Sequence, residues 1–350
     1  MNSETKKYLI KRLYDDAFNQ DLKWNEWFFE KAYRDEEAML LSDGDFPLCC
    51  MMLSRYDFTF HGQSVNFTYI NGATTNFKVR GKGYMRQLMT NALNRLYEQG
   101  VAIAGLIPAN RRLFFFYDTF NFSTVVFSDI ERYTSIHTFQ TNENYIVSDP
   151  DYNSFTFLEN LRQTGVRHSS EDFENILHDI EHDNGCVVLL KSKNNEPLAM
   201  VFATPSESEI HVKEVLGNNA EAIDMALGII KKRLNKNFPF IVWRYPSLNK
   251  SSLRERGMLR IINVETILSC LVKRYHHINQ TIKVSDKIIP NNNGTFILCN
   301  GICRREDTYP GNLNLDVSID VLTKILFSDE RIGNIFDLKS NYAAMSLMLD

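Results

Sequence analysis

The sequence predicts an α/β (α+β) fold, with a mixed but mostly antiparallel sheet flanked by helices. Three observations carry this. Val65-Asn66-Phe67-Thr68-Tyr69-Ile70 alternates apolar and polar residues as a half-buried strand does. Pro47 to Leu53 and Glu37 to Leu41 flank Ser42-Asp43-Gly44-Asp45, which reads as a hairpin. Met85, Leu88, Met89, Ala92, Leu93 and Leu96 then recur along one face of a helix, directly after two closely spaced glycines.

The other elements follow in order. Aromatic-rich helical spacing at Tyr8 to Tyr14 and at Trp24 to Phe29 places two helices before the hairpin. Val101 to Ile107 is an apolar run bounded by Pro108, a buried strand, and Ser123 to Phe127 is a further strand. Gln140 to Asn153 is polar, contains Asp149-Pro150-Asp151 and reads as a linker. Beyond it the plan recurs: helix Ser170 to Glu181, strands Cys186 to Leu190, Leu198 to Ala203 and Ile210 to Val215, helix Ala220 to Leu234, strand Phe240 to Trp243. From about Cys270 a last block holds strands at 282–286, 295–298 and 314–319 and a short helix at 320–327.

At 350 residues the chain is long enough for two or three domains. Its 44% hydrophobic and 23% charged residues are ordinary globular usage, and a net charge of −4 gives no electrostatic reason to expect nucleic acid. No apolar run approaches the length of a membrane span, and Met1 to Lys7 lacks the apolar core of a signal peptide, so a cytoplasmic protein without membrane attachment is expected. Six cysteines are too few for a disulfide scaffold, and free, mostly buried thiols are expected. His178 and His182 have the spacing of a zinc helix, but Asp179 stands where HExxH needs glutamate. A solvated helix face is expected there, and no metal.

The informative stretch is Arg80-Gly81-Lys82-Gly83-Tyr84-Met85, between a strand and a helix. Such a turn leaves backbone N–H groups unpaired at the positive end of a helix, which suits a pyrophosphate, and Arg80, Lys82 and Arg86 add charge. A plain connection that uses glycine for backbone freedom is the other reading. The P-loop pattern fails because Tyr84 follows the second glycine, and the Rossmann pattern fails at Gln87. Downstream, Asn110 is followed seven residues later by Tyr117 and then by Asn121-Phe122. An aromatic core residue in the run Leu113 to Phe116 is the plain reading of Tyr117.

Together the two motifs resemble the GNAT acetyltransferases, whose acyl-CoA loop is R-x-x-G-x-[GA] and whose next motif is N-x6-Y-x3-GF. Met85 and Asn121 depart from those patterns; Asn121 replaces a glycine, and asparagine also reaches left-handed backbone conformations. The second block resembles another GNAT unit whose turn, Leu216-Gly217-Asn218-Asn219, carries no cation. The last block resembles a sterol-carrier-protein-like (SCP2-like) α+β domain. Tandem GNAT folds followed by such a domain are the plan of the Eis (enhanced intracellular survival) family. On that resemblance, 1–135 is the acetyl-CoA-binding domain, 136–270 a degenerate copy, and 271–350 the sterol-carrier-like domain carrying the C-terminus.

The resemblance implies direct acetyl transfer from acetyl-CoA to the amine of a small molecule or peptide. It makes Tyr117 the general acid and the carboxylate of the final residue, Asp350, the general base; a C-terminus that merely packs is the alternative. Backbone groups of Ala73, Thr74 and Thr75 would meet the pantetheine arm. Gly81, Lys82, Gly83, Tyr84, Met85 and Arg86, with Arg80, would hold the pyrophosphate, and Asn110 would contact the pantetheine region. An N–H near Thr75 would steady the oxyanion. Trp24, Trp27 and Phe28 either line an acceptor cavity or pack as core. The family also implies a homo-oligomer, for which the residues themselves give no independent sign. A non-catalytic acyl-CoA-binding regulatory module, and a lipid- or partner-binding protein, are the alternatives in other classes.

Overall fold

The computed structural model describes residues 2–18, 21–246, 253–327, 334–338 and 342–349. Asp350, the expected base, lies outside them. The chain forms two compact units, one of residues 1–125 and 257–340, the other of 126–256 and 341–349.

Unit 1 begins with α1 (Ser3–Ala17) and α2 (Leu22–Trp27), the latter running on into a π turn at Phe28–Ala32. Strands β1 (Ala38–Asp43), β2 (Phe46–Phe60) and β3 (Gln63–Thr75) form an antiparallel meander. Then come α3 (Tyr84–Glu98), β4 (Ile103–Leu106), parallel to β3, and α4 (Arg111–Asp118). Period-two alternation in β2 feeds two cores. Cys49, Met51 and Leu53 pack with Leu88, Met89, Ala92 and Leu93 of α3, whereas Cys50 and Met52 pack with Leu13, Tyr14, Trp24 and Phe28. Burial on both faces explains why Leu48 to Leu53 is a continuous apolar run.

Strand β5 (Ser123–Tyr133) leads into unit 2, which continues through β6 (Tyr145–Ser148), α5 (Tyr152–Glu159), β7 (Gly165–Arg167) and α6 (Ser170–His182). The meander β8 (Cys186–Ser192), β9 (Pro197–Pro205), β10 (Ile210–Leu216) precedes α7 (Ala220–Leu234) and β11 (Phe240–Arg244). The strand order is β6-β8-β9-β10-β11-β5. Val188, Leu190 and Val201 pack with α7, while Val187, Leu189 and Phe202 pack with α5 and α6. The stretch read as a linker is ordered here. Its residues 145–148 pair with β8, and the Asp151 carboxylate accepts from Ser154 N at 2.8 Å to cap α5.

The chain returns through β12 (Arg254–Ile261), whose Met258–Ile261 pair with β4 in unit 1, and α8 (Val264–Arg274). Strands β13 (Gln280–Ser285), β14 (Gly294–Cys299), β15 (Ile302–Glu306) and β16 (Leu315–Ser318) form a separate sheet in the order β15-β14-β13-β16, followed by α9 (Ile319–Phe327). β12, α8 and β15 have no counterpart in the sequence reading. In β12 the reason is Arg260, fully buried inside an otherwise apolar run, which breaks the pattern of a core strand.

Candidate active site

β3 is hydrogen-bonded to β2 as far as Thr75, but its pairing with β4 stops at Tyr69. Ala73, Thr74 and Thr75 therefore extend past the last rung to β4, with one strand edge open. A β-bulge sits at the start of this stretch, where Gly72 and Ala73 lie opposite Met51 alone. Gly72 has φ +55°, and a Cβ on it would lie 2.9 Å from the Tyr14 ring and 3.2 Å from Met52 Cε, so glycine is required there.

Arg80 folds back onto the end of β3, donating from Nε to Thr75 O at 3.2 Å. Gly81 and Gly83 follow at φ +80° and +85°, and a Cβ at either would meet nothing within 4 Å. Glycine serves the backbone conformation here, and the space over the turn is free for a ligand. Gly83 is the N-cap of α3 and supplies no side-chain acceptor. The N–H groups of Tyr84, Met85 and Arg86 thus precede the first intrahelical bond, Gln87 N to Gly83 O. Asn2, Asp21, Asn110, Asp151, Ser169, Asn219 and Asn263 all cap their helices with a side chain, so α3 differs from the other helices with a described N-cap. Exposed Arg80, Lys82 and Arg86 stand around it, none in an ion pair among the described residues. In unit 2 the turn before α7 is closed. Asn219 caps α7, and a Cβ on Gly217 would lie 2.3 Å from Leu198 O.

A cavity of about 470 Å³ joins these parts. One wall is Ala73, Thr74 and Thr75, another is the turn from Val79 through Arg86 apart from Lys82, and the third is Leu113, Phe116 and Tyr117 of α4. Tyr117 is buried, in edge contact with the Phe116 and Phe122 rings, and its hydroxyl makes no hydrogen bond to a described residue. Burial pushes the phenol up to about 12, so it carries its proton at neutral pH. α4 ends with Phe120 N and Phe122 N both donating to Tyr117 O, at 2.9 and 3.3 Å, and Asn121 takes φ +61°. The asparagine does adopt the left-handed conformation its place in the motif demands.

The structure thus gathers Ala73, Thr74, Thr75, Arg80, Gly81, Gly83, Tyr84, Met85, Arg86 and Tyr117 around one cavity. Lys82 is exposed beside it. Asn110 does not line it; its side-chain oxygen accepts from Arg112 N and Leu113 N as the cap of α4. Trp24 and Phe28 stack at 5.1 Å in the core beneath α1, and with Trp27 they lie outside the lining. Val79, Leu113 and Phe116 are lining residues the sequence reading missed. Leu113 and Phe116 share a helical face with Tyr117 at i, i+3 and i+4, a spacing that could have found them.

Residues 3–125 match the family model described as an acetyltransferase (GNAT) domain. Comparison with curated protein sequences gave no match. Among solved structures the chain is similar to a conserved protein of unknown function from Enterococcus faecalis, a probable N-acyltransferase, at 16% identity and TM-score 0.76, covering 99% of this chain and 96% of that one. It is similar to a GCN5-related N-acetyltransferase from Anabaena variabilis at 15% identity and TM-score 0.74, covering 98% and 97%. Eis1 from Mycobacterium abscessus is similar at 11% identity and TM-score 0.71, again covering 98% and 97%. At these identities the likeness is one of fold, and it extends over nearly the whole chain. The family-model match places the acetyltransferase (GNAT) domain at residues 3–125, and the solved structures add the likeness of fold.

Proposed function

We propose that the protein transfers acetyl from acetyl-CoA to a primary amine by direct attack. One observation carries this reading: the uncapped, open-faced start of α3 and the protonated Tyr117 phenol line the same cavity. The turn from Arg80 to Arg86 would hold the pyrophosphate through backbone N–H groups and cations. The open edge at Ala73–Thr75 would hold the pantetheine amides as an added strand. An N–H near Thr75 would steady the developing oxyanion.

Acetyl-CoA supplies the activated acetyl group. Tyr117 holds a proton at Oη and gives it to the departing thiolate sulfur. The attacking amine must arrive without its proton, a role the family resemblance gives to the carboxylate of Asp350. The segment leading to that residue is docked in unit 2: Ala344 exchanges backbone bonds with Thr164 and Val166, and Tyr245 donates to Tyr342 O at 2.5 Å. In this reading 1–135 is the acetyl-CoA domain, 136–270 its degenerate copy and 271–350 the sterol-carrier-like domain. The recurrence of meander, helix and strand in β8–β11, and the separate sheet β13–β16, support it.

Release of CoA thiol should be followed with acetyl-CoA and a panel of polyamines, aminoglycosides, amino acids and lysine peptides. Turnover with at least one amine, falling ten-fold or more in Tyr117→Phe, is the expected result. A one-residue extension after Asp350 should lower turnover similarly, and indifference to it would remove the terminal carboxylate from the mechanism. Binding of acetyl-CoA with no turnover on any amine would refute the proposal.

A further inference from the structure

Unit 1 contains a buried ion pair that the proposed chemistry does not use directly. Arg260 and Asp286 both have fully buried side chains. Arg260 Nη2 donates to both Asp286 oxygens at 2.8 Å, and Nη1 donates to Phe120 O at 2.9 Å. Asp286 also accepts from Ile288 N, Ile289 N and Asn292 Nδ2, at 2.9, 3.1 and 3.0 Å. Asn292 is itself tied to the chain between β12 and α8 and to the first residue of α8, donating to Ile262 O and accepting from Val264 N. The carboxylate is thus fixed by the chain on three sides. Arg260 projects from a strand residue in register with Ala104 of β4, so its own base is rigid.

This arrangement is expensive. Arg260 Nε is buried without a hydrogen-bond partner, and apolar residues of similar volume would usually be as stable as a buried ion pair. What apolar residues could not supply is the bond to Phe120 O. That carbonyl belongs to the turn in which Phe120 N and Phe122 N both donate to Tyr117 O. The guanidinium therefore clamps the end of α4 at the turn that follows the acid, where a cation also complements the helix dipole.

We propose that Arg260, held by Asp286, is a positioning residue for Tyr117. By fixing the end of α4 it sets where the phenol stands in the cavity. The inference rests on the reading of Tyr117 as general acid, and misplacement of a reacting group by about 1 Å can cost roughly a hundred-fold in rate.

The test uses the full chain. Arg260→Lys keeps a charge for Asp286 but lacks the fork that also reaches Phe120 O, and Arg260→Met is the second variant should the lysine form fail to fold. The expected result is a fall in kcat of ten-fold or more, with KM for acetyl-CoA within about two-fold. In a Tyr117→Phe background the same change should cost less than two-fold, because the positioned group is already gone. Hydrogen exchange at Phe120 and Phe122 should quicken while α3 keeps its protection, a readout independent of turnover. Wild-type kcat in a folded Arg260 variant, an equal loss in both backgrounds, or unchanged exchange at 120 and 122 would each overturn the proposal. If Tyr117→Phe alone has wild-type turnover, the acid assignment itself fails, and exchange then reports separately whether the clamp holds α4.

Discussion

At Tyr117 the burial that raises the phenol to about 12 also keeps its proton in place over the range in which amines lose theirs. Its folded-state pKa lies above the ordinary value, so the acid form is complete below about 10 and is lost only as pH passes 12. The kcat profile of the wild type should therefore rise with pH as the acceptor deprotonates and show no alkaline decline below pH 10; a bell with an alkaline limb near 8 or 9 would assign the acid to another group. Gly72 is constrained differently. Alanine there would push a methyl against the Tyr14 ring at positive φ, and Gly72→Ala should lower stability by about 1–3 kcal/mol in denaturant titration. Unchanged stability would mean the bulge relaxes at no cost.

In the proposed reading anion binding depends on the N-terminus of α3, whose charges act at the surface, where salt screens them. Arg80→Ala with Lys82→Ala should weaken acetyl-CoA binding about ten-fold at low salt and by less at 0.5 M, as read by calorimetry. Equal affinity would leave binding to the backbone alone. At α4 the cap is separable from the ligand. Asn110→Ala should cost about 1 kcal/mol of stability through loss of its bonds to Arg112 N and Leu113 N. An increase in acetyl-CoA dissociation constant without loss of stability would instead put the side chain on the ligand. This element scale is also where the sequence is most readable. The strand, the glycine turn and the helix each follow from local pattern, and Asn121 follows from its tolerance of positive φ. β6 and α5 were hidden because a short edge strand and a capped helix entry are built from the same polar residues as a linker. Arg260 was hidden because a charge in an apolar run looks like a surface residue until its partner, 26 positions away, is brought beside it.

Over the whole molecule the same period-two logic builds both units, with alternate residues of β2, β8 and β9 feeding cores on opposite faces. Tertiary placement, which no local pattern encodes, decides the rest. His61 is one case: burial, aided by Arg274, pushes its imidazole down to about 4, and Tyr275 hydroxyl lies 3.1 Å from Nδ1. The unfolded chain binds that proton near 6.5 and the folded chain resists it. Stability should be level in this respect above about 6.5 and fall by roughly 3 kcal/mol as pH drops towards 4. His61→Asn should flatten that fall in thermal unfolding, and an unchanged slope would place the acid sensitivity elsewhere.

The most direct test of the proposed acetyl-CoA site is to follow backbone amide resonances while acetyl-CoA is added to the full chain. Binding at the uncapped turn predicts the largest shifts at Gly83, Tyr84, Met85 and Arg86, with a second group at Ala73 to Thr75, both saturating together. Saturable shifts that leave these amides in place, or no shifts at millimolar acetyl-CoA, would contradict the account.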